Sequence, residues 1–467
     1  MQIFRTKTTT PDDFSDTGLK RCLSAFDLTF LGIGAIIGTG IFVLTGIAAA
    51  TQAGPAVVLS FIVAGIACAF AALAYSELAS AVGGCGSAYG YSYVAFGELV
   101  AWIIGWDLLL EYGVATAAVA NGWAGYFNNA LTAIGIPLPE ALTKAPSLGG
   151  IVNLPAAGIV LMLMVLLAVG VRQSTKLNTA MVFVKLLTIT VFIGVAVFHV
   201  NPENWNPFMP FGWSGTSPEG KPVGVLAGAA MVFFAYVGFD AVSTAAEEAK
   251  NPQRDVPIGI IASLVFCTLI YIVVSGLLTG IVPYSQLNVP SPVAHSLQLI
   301  GINWASALVA TGVIAGLTTV MLVLYYGLTR VFFAMSRDGL LPPFFSDVNP
   351  KTQTPVRVII LCGLVIATIA GFIPLGELAE LVNIGTLAAF VLVCLGVVVL
   401  RIKQPTLHRP FKNPLNPVFP LLGAASCSAL MAFLPAMTWL RFAVWLAIGV
   451  VVYFTYSIRH SKLAQQE

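Results

Sequence analysis

Charge is what this sequence has least of. Asp, Glu, Lys and Arg make up 9% of its 467 residues, against 58% hydrophobic residues, where an ordinary soluble domain carries about 25% charge. Too few charges remain to build a water-facing surface, so the chain belongs in a lipid bilayer. Neither sign is in excess: 22 Lys and Arg against 20 Asp and Glu give a net charge of +2. That leaves no clustered basic face and excludes a nucleic-acid partner.

Other absences narrow the function. The seven cysteines (Cys22, Cys68, Cys85, Cys267, Cys362, Cys394, Cys427) are odd in number, lie mostly in apolar runs and show no CxxC spacing, so free thiols and no metal site are expected. No HExxH or GxSxG motif marks an intramembrane enzyme, and Gly83-Gly84-Cys85-Gly86 is no phosphate loop, because neither GKS nor GKT follows. The chain therefore reads as a non-enzyme that needs no cofactor. Arg5, Lys7, Asp12, Asp13, Asp16 and Lys20 stand where a secretory signal would have its apolar core, so the amino-terminal segment is expected to be retained. The longest polar stretches, about 129–152, 200–222, 282–303 and 337–356, fall short of the roughly 50 residues of the smallest domain.

What is abundant is apolar sequence of spanning length. A transmembrane helix needs about 20 mostly apolar residues. About twelve such stretches can be drawn, at 25–51, 55–82, 98–128, 153–171, 177–199, 223–248, 257–281, 304–336, 357–374, 379–400, 415–435 and 440–458, with short helices at 86–97 and 290–300. An all-α integral membrane protein with both termini on one side follows. If that side is cytoplasmic, Lys144, Lys221 and Arg441 are outside, Lys185 is in a span, and the other 18 of 22 basic residues are inside, as the positive-inside rule requires.

Two spans look interrupted. The first reads LGIGAIIGTGIFVLTG, with Gly38-Thr39-Gly40 at its centre. Such glycines either pack helices closely or break the helix and aim backbone N–H groups at an anion. The sixth reads MVFFAYVGFDAVSTAAEEAKNP, with Gly238 close to Asp240 and several aromatic residues. Each opens a group of five spans, and five is odd, so the second group enters from the opposite side, the plan of inverted-repeat transporters. The expected division is a cytoplasmic segment 1–24, a first five-helix repeat 25–199, an inverted repeat 223–400, and two extra helices with a tail at 401–467.

GIGAIIGTGIF at 32–42, FFAYVGFDAVSTAAEEAKNPQRDVP at 233–257 and SRDGLLPPFFSDVNPKTQTPVRV at 336–358 resemble the amino acid/polyamine/organocation superfamily, and within it the cationic amino acid transporter family. The resemblance implies that the backbone amides of Gly38, Thr39 and Gly40 hold a substrate α-carboxylate. Carbonyls of Ala35 and Ile36, with those of Phe234, Ala235 and Val237, would receive the α-ammonium, and Phe234 or Tyr236 would close over the side chain. A zwitterion matches the opposed dipole ends of two half-helices.

Charges inside spans are costly, about 2.5–3.5 kcal/mol each near the centre on insertion scales, so each is a functional candidate. Lys185, in NTAMVFVKLL, either snorkels to the inner interface or faces the bundle and titrates. The resemblance favours the second reading, because proton-coupled members place a lysine of the fifth helix where sodium-coupled relatives hold sodium, between the first and eighth helices. Thr318 and Thr319 are candidates for an eighth-helix hydroxyl there, or simply pack. Glu111 in GWDLLLEYG is too deep to snorkel and either bonds within the bundle or faces the substrate's side chain. Asp240 takes the position where relatives carry an acid linked to gating or proton movement. Asp107 shares the helix face of Glu111, and a water-filled vestibule accounts for both. Met321 lines the side-chain pocket or packs; Glu77 reads as interfacial; Glu247, Glu248 and Lys250 are expected to pair with Arg254 at the inner mouth.

These readings combine into a proton-coupled amino acid transporter working by alternating access, in the inner membrane of a bacterium. The substrate is cationic or small and neutral, such as arginine or alanine. An exchanger, a sodium symporter and a non-transporting sensor are the alternatives. Oligomeric state leaves no mark in the sequence.

Overall fold

The computed structural model describes residues 5–6, 23–82, 87–170, 175–349, 352 and 354–465, without the side chains of 175–178, 247 and 465. Lys7, Asp12, Asp13, Asp16, Lys20, Lys351, Cys22, Cys85 and the Gly83–Gly86 run lie outside these residues, as does the side chain of Glu247. The five described cysteines are free and buried.

The protein is an all-α bundle. Its helices are α1 (Ala25–Ile36), α2 (Val57–Ala81), α3 (Ser87–Ala95), α4 (Glu98–Ala133), α5 (Leu154–Ala168), α6 (Thr175–Ala196), α7 (Val225–Val232), α8 (Pro252–Ile281), α9 (Pro292–Leu299), α10 (Asn303–Arg337), α11 (Val356–Phe372), α12 (Leu375–Lys403), α13 (Val418–Ala432) and α14 (Ala436–Val452), joined by short helical turns. Among the described residues, strand structure is confined to one antiparallel pair, β1 (Gly215–Thr216) and β2 (Pro222–Val223). Among the described residues, eight helical stretches are long and apolar enough to cross a membrane. The α5, α11 and α13 helices fall where spans are expected but are 15, 17 and 15 residues long, below the usual spanning length of about 20. Large apolar side chains point outward along the bundle, such as Leu269, Val365 and Val451, as lipid contact requires.

Local sequence sets the helix starts. Ser24 and Asp27 form a reciprocal capping box at the head of α1, satisfying two amides that a helix start leaves open. Gly97, at φ 99°, turns the chain into α4, and Pro252 occupies the first turn of α8, where its missing N–H costs nothing.

Packing relies on small residues and side-chain hydrogen bonds, because lipid gives helices no hydrophobic reason to associate. The α4 helix lies against α10 and α12, and α8 lies against both α1 and α2. The α14 helix is fastened to α4 by tryptophans. Trp106 Nε1 donates to the Trp445 carbonyl (2.9 Å), Trp445 Nε1 donates to that of Trp106 (3.1 Å), and Trp102 Nε1 donates to that of Gly449 (2.8 Å).

Both ends of the described chain meet at one end of the bundle. The Glu98 N–H donates to the Arg5 carbonyl, and the buried Glu98 carboxylate accepts from Tyr93, Tyr453 and Ser461. Glu77 departs from its interfacial reading: it is 1% exposed. Its carboxylate takes two bonds from Arg401 (2.8 and 2.7 Å), one from the Asn413 N–H (2.7 Å), and an ion pair with Arg409 (3.4 Å). The arginines come from the end of α12 and the loop after it, more than 300 residues away. Among the described residues no ion pair joins Glu248 to Lys250 or Arg254, contrary to the sequence expectation; the chain there instead bonds through its backbone to Leu23.

Candidate functional site

The first span does break at the glycine run. The α1 helix ends at Ile37 in an extended conformation (φ −73°, ψ 101°), and wide helical turns resume at Gly40–Leu44. A helix start leaves its first amides without internal acceptors, so those of Gly38, Thr39 and Gly40 stand at the gap. The Thr39 hydroxyl is buried there with no hydrogen-bond partner. The sixth span breaks in the same way. The α7 helix tightens into a turn at Phe233–Tyr236, Val237 is extended (ψ 129°), Gly238 takes φ 116°, and helix resumes at Ala241–Thr244.

The two breaks touch. A Cβ on Gly40 would stand 2.2 Å from the Ala235 Cα, and one on Gly238 would stand 3.0 Å from the Ala35 carbonyl oxygen. Gly40 is thus required for close approach and Gly238 for its backbone angle as well.

Carbonyls released by the breaks are met by side chains from other helices. The Tyr271 hydroxyl of α8 lies 2.9 Å from the Ile36 carbonyl and 2.8 Å from that of Ala235. It bridges the breaks with a single proton, so it can donate fully to only one of them at a time. Asn383 of α12 donates to the Ala230 and Met231 carbonyls (2.8 and 3.1 Å), and Tyr126 of α4 donates to that of Phe42 (2.8 Å). Tyr271, Asn383 and Tyr126 are absent from the sequence-based site. Their one signal is a hydrogen-bonding group within an apolar span, which must find a partner.

Lys185 faces the bundle. It is 2% exposed, and its Nζ donates to the Gly34 carbonyl at 2.7 Å. Its stem lies along Gly316 of α10, where a Cβ would approach it to 2.9 Å. It therefore sits between the first and eighth expected spans, and snorkelling is excluded. The eighth-helix hydroxyls are engaged elsewhere: Thr318 accepts from Trp123 Nε1 (3.0 Å), and Thr319 donates to the Gly316 carbonyl (2.8 Å).

Ala35, Val237, Glu111 and Asp240 are brought together around one cavity, with Val320 and Leu324 of α10. Asp240 is 3% exposed and Glu111 3%, and the Asp240 carboxylate is approached by backbone N–H groups of Gly238 and Ala241. The expected pocket residues Phe234, Tyr236 and Met321 are not at its wall, nor are Ile36, Gly38, Thr39, Gly40 and Ala235. Tyr236 is turned toward α2, where its hydroxyl donates to the Phe61 carbonyl (2.8 Å). Met321 is fully buried beside Val320 and absent from the lining.

Residues 23–461 match the family model described as amino acid permease. The chain belongs to the amino acid permease family. It is a transporter of the amino acid/polyamine/organocation superfamily rather than an enzyme, and a multi-pass membrane protein. It is 52% identical over 447 residues to the methylthioribose transporter of Bacillus subtilis, with 95% of each chain covered. It is also 52% identical over 455 residues to a branched-chain amino acid permease of the same organism, with 96% of each covered. Human cationic amino acid transporter 4 is 32% identical over 580 residues, covering 98% of this chain and 90% of the relative.

Proposed function

We propose that this permease moves amino acids by alternating access, driven by protons, with Lys185 as the coupling group. The observation that carries this is the bond from Lys185 Nζ to the Gly34 carbonyl, three residues before the first break. A protonated lysine there holds the two helices with a charge-assisted bond; losing the charge weakens that bond and frees the first span to move. An ammonium in this position also occupies the place a sodium ion would need, which argues against sodium coupling.

The same geometry suits a zwitterion. The amides of Gly38, Thr39 and Gly40 and the unpartnered Thr39 hydroxyl would take the α-carboxylate. The carbonyls of Ile36 and Ala235, which share one tyrosine proton, would take the α-ammonium with those of Ala35, Phe234 and Val237. Phe234 would cover the side chain, and Met321 would act through its packing behind Val320. The cavity beyond has apolar walls at Val320 and Leu324 and acids at Glu111 and Asp240, which suits an apolar or a cationic side chain. The branched-chain permease at 52% identity and the cationic transporter at 32% bracket the same choice. We also infer twelve spans, repeats at 25–199 and 223–400, and both termini in the cytoplasm of a bacterium.

The test is uptake of radiolabelled arginine, leucine and alanine into sodium-free proteoliposomes with an alkaline interior. Accumulation that collapses with a protonophore supports proton coupling, and the favoured label names the side-chain class. Exchange without accumulation would replace the proposal with an exchanger.

A further inference from the structure

Asp107 lies on α4 one turn before Glu111, and the transport cycle above makes no use of it. Its side chain is 1% exposed, and neither carboxyl oxygen has a hydrogen-bond partner. Oδ1 is pressed against the backbone of α12, where a Cβ on Gly385 would stand 2.5 Å from it. The next residue, Thr386, is fully buried and stands toward Glu111, and its hydroxyl has no hydrogen-bond partner.

An ionised carboxylate without hydrogen-bond donors is among the costliest groups to bury, whereas a neutral carboxyl is far cheaper. The groups facing this cluster offer no relief. Glu111 neighbours Asp240 and Asp107, Tyr75 of α2 and Tyr112 of α4 face Glu111 and Asp240, and all are acids; α10 presents the apolar Val320 and Leu324 to Glu111 and Asp240. Glu111 and Asp240 line the cavity, but Asp107 does not. A substrate's side chain can therefore reach the first two acids and no further. What can pass on to Asp107 is a proton.

We infer that Asp107 is a second proton-carrying carboxyl, one station beyond Glu111 toward the end of the bundle where the termini meet, with Thr386 as the intervening hydroxyl. In the transfer, an O–H bond of Glu111 breaks and one on Asp107 forms, while the hydroxyl of Thr386 or one water accepts a proton and gives one up. Asp107 begins as the carboxylate left when its own proton has passed inward and ends as the neutral acid that its surroundings favour. Gly385 leaves the space the carboxyl needs. This inference rests on proton coupling, and its test separates the two.

The full-length protein and Asp107→Asn, which keeps the shape of the neutral acid, are compared in proteoliposomes with alanine, leucine or arginine, whichever the wild type takes up. Substrate-induced thermal stabilisation in detergent shows that the variant is folded. The wild type should slow its counterflow as the internal pH rises, and Asp107→Asn should lose that dependence and fail to accumulate substrate. In infrared difference spectra, substrate addition should change a carboxylic-acid C=O band that the variant lacks. If wild-type accumulation collapses with a protonophore while Asp107→Asn matches it in pH profile and spectrum, Asp107 is a packing residue and the inference is overturned, with proton coupling intact. If wild-type accumulation ignores the protonophore, proton coupling is lost, and an Asp107 band insensitive to substrate overturns the inference as well. Should Asp107→Asn not fold, Gly385→Ala, which pushes on Oδ1, must shift the pH profile; an unchanged profile overturns the inference.

Discussion

Lys185 Nζ and the Gly34 carbonyl oxygen, 2.7 Å apart, join α6 to the last intact turn before the first break. The bond reaches a backbone atom, so it tracks the position of the helix itself rather than of a side chain. Lys185→Ala should abolish gradient-driven accumulation. Lys185→Arg, which cannot give up its proton in the working range, should fail as well, although it keeps the charge. Radiolabel uptake by both variants checks this, and accumulation by the arginine variant would show that the charge alone suffices.

The two breaks meet at Gly40, where a Cβ would lie 2.2 Å from the Ala235 Cα. Backbone cannot yield as a flexible side chain can, so Gly40→Ala should cost about 1–3 kcal/mol of stability, the usual range for overpacking, and abolish transport. Thermal unfolding in detergent reads the first effect. A fully stable, active alanine variant would show that the breaks do not cross this closely.

Tyr271→Phe should weaken the site without filling it. The ring stays, but the Ile36 and Ala235 carbonyls lose their shared donor, and an unsatisfied buried acceptor costs about 1–3 kcal/mol. The unfolding temperature should fall, and added substrate should restore more of it than in the wild type, because the substrate's ammonium supplies the missing donor. Equal substrate shifts in the two proteins would count against a substrate ammonium at these carbonyls.

Glu77 closes the gap between α2 and the loop after α12. Glu77→Ala removes the carboxylate shared by Arg401, Arg409 and the Asn413 N–H. Arg401 is 24% exposed and both arginines keep backbone acceptors, so the loss should fall below the roughly 3–5 kcal/mol of a fully buried pair broken from one side. The double variant Glu77→Ala/Arg401→Ala should lose less than the sum of its single variants. Additive losses in denaturant unfolding would show that the pair contributes no coupling.

The bundle was largely legible because spans are long, apolar and punctuated by charge, and each helix has to satisfy its own backbone. The breaks were legible only as a pair: glycines at Gly38-Thr39-Gly40 also suit close helix packing, and the matching run at Gly238, opening the second group of five spans, tipped the reading toward a break. Lys185 stood out as a charge at depth. Tyr271, Asn383 and Tyr126 did not, since a tyrosine or asparagine in a span announces that it needs a partner without naming one. The partners of Glu77 lie more than 300 residues away, so its position near a span end suggested an interface when the fold buries it. Tyr236 shows the same limit: its neighbourhood in sequence points to the substrate gap, while its hydroxyl finds the Phe61 carbonyl on α2.

The central claim is that a proton moves with the substrate and that Lys185 is what couples them. Proteoliposomes loaded with a pH-sensitive dye, with no imposed gradient and no sodium, test it most directly when substrate is added outside. The account predicts that the lumen acidifies as substrate enters, and that Lys185→Ala abolishes the acidification. Substrate entry at the wild-type rate with no change in luminal pH would contradict it.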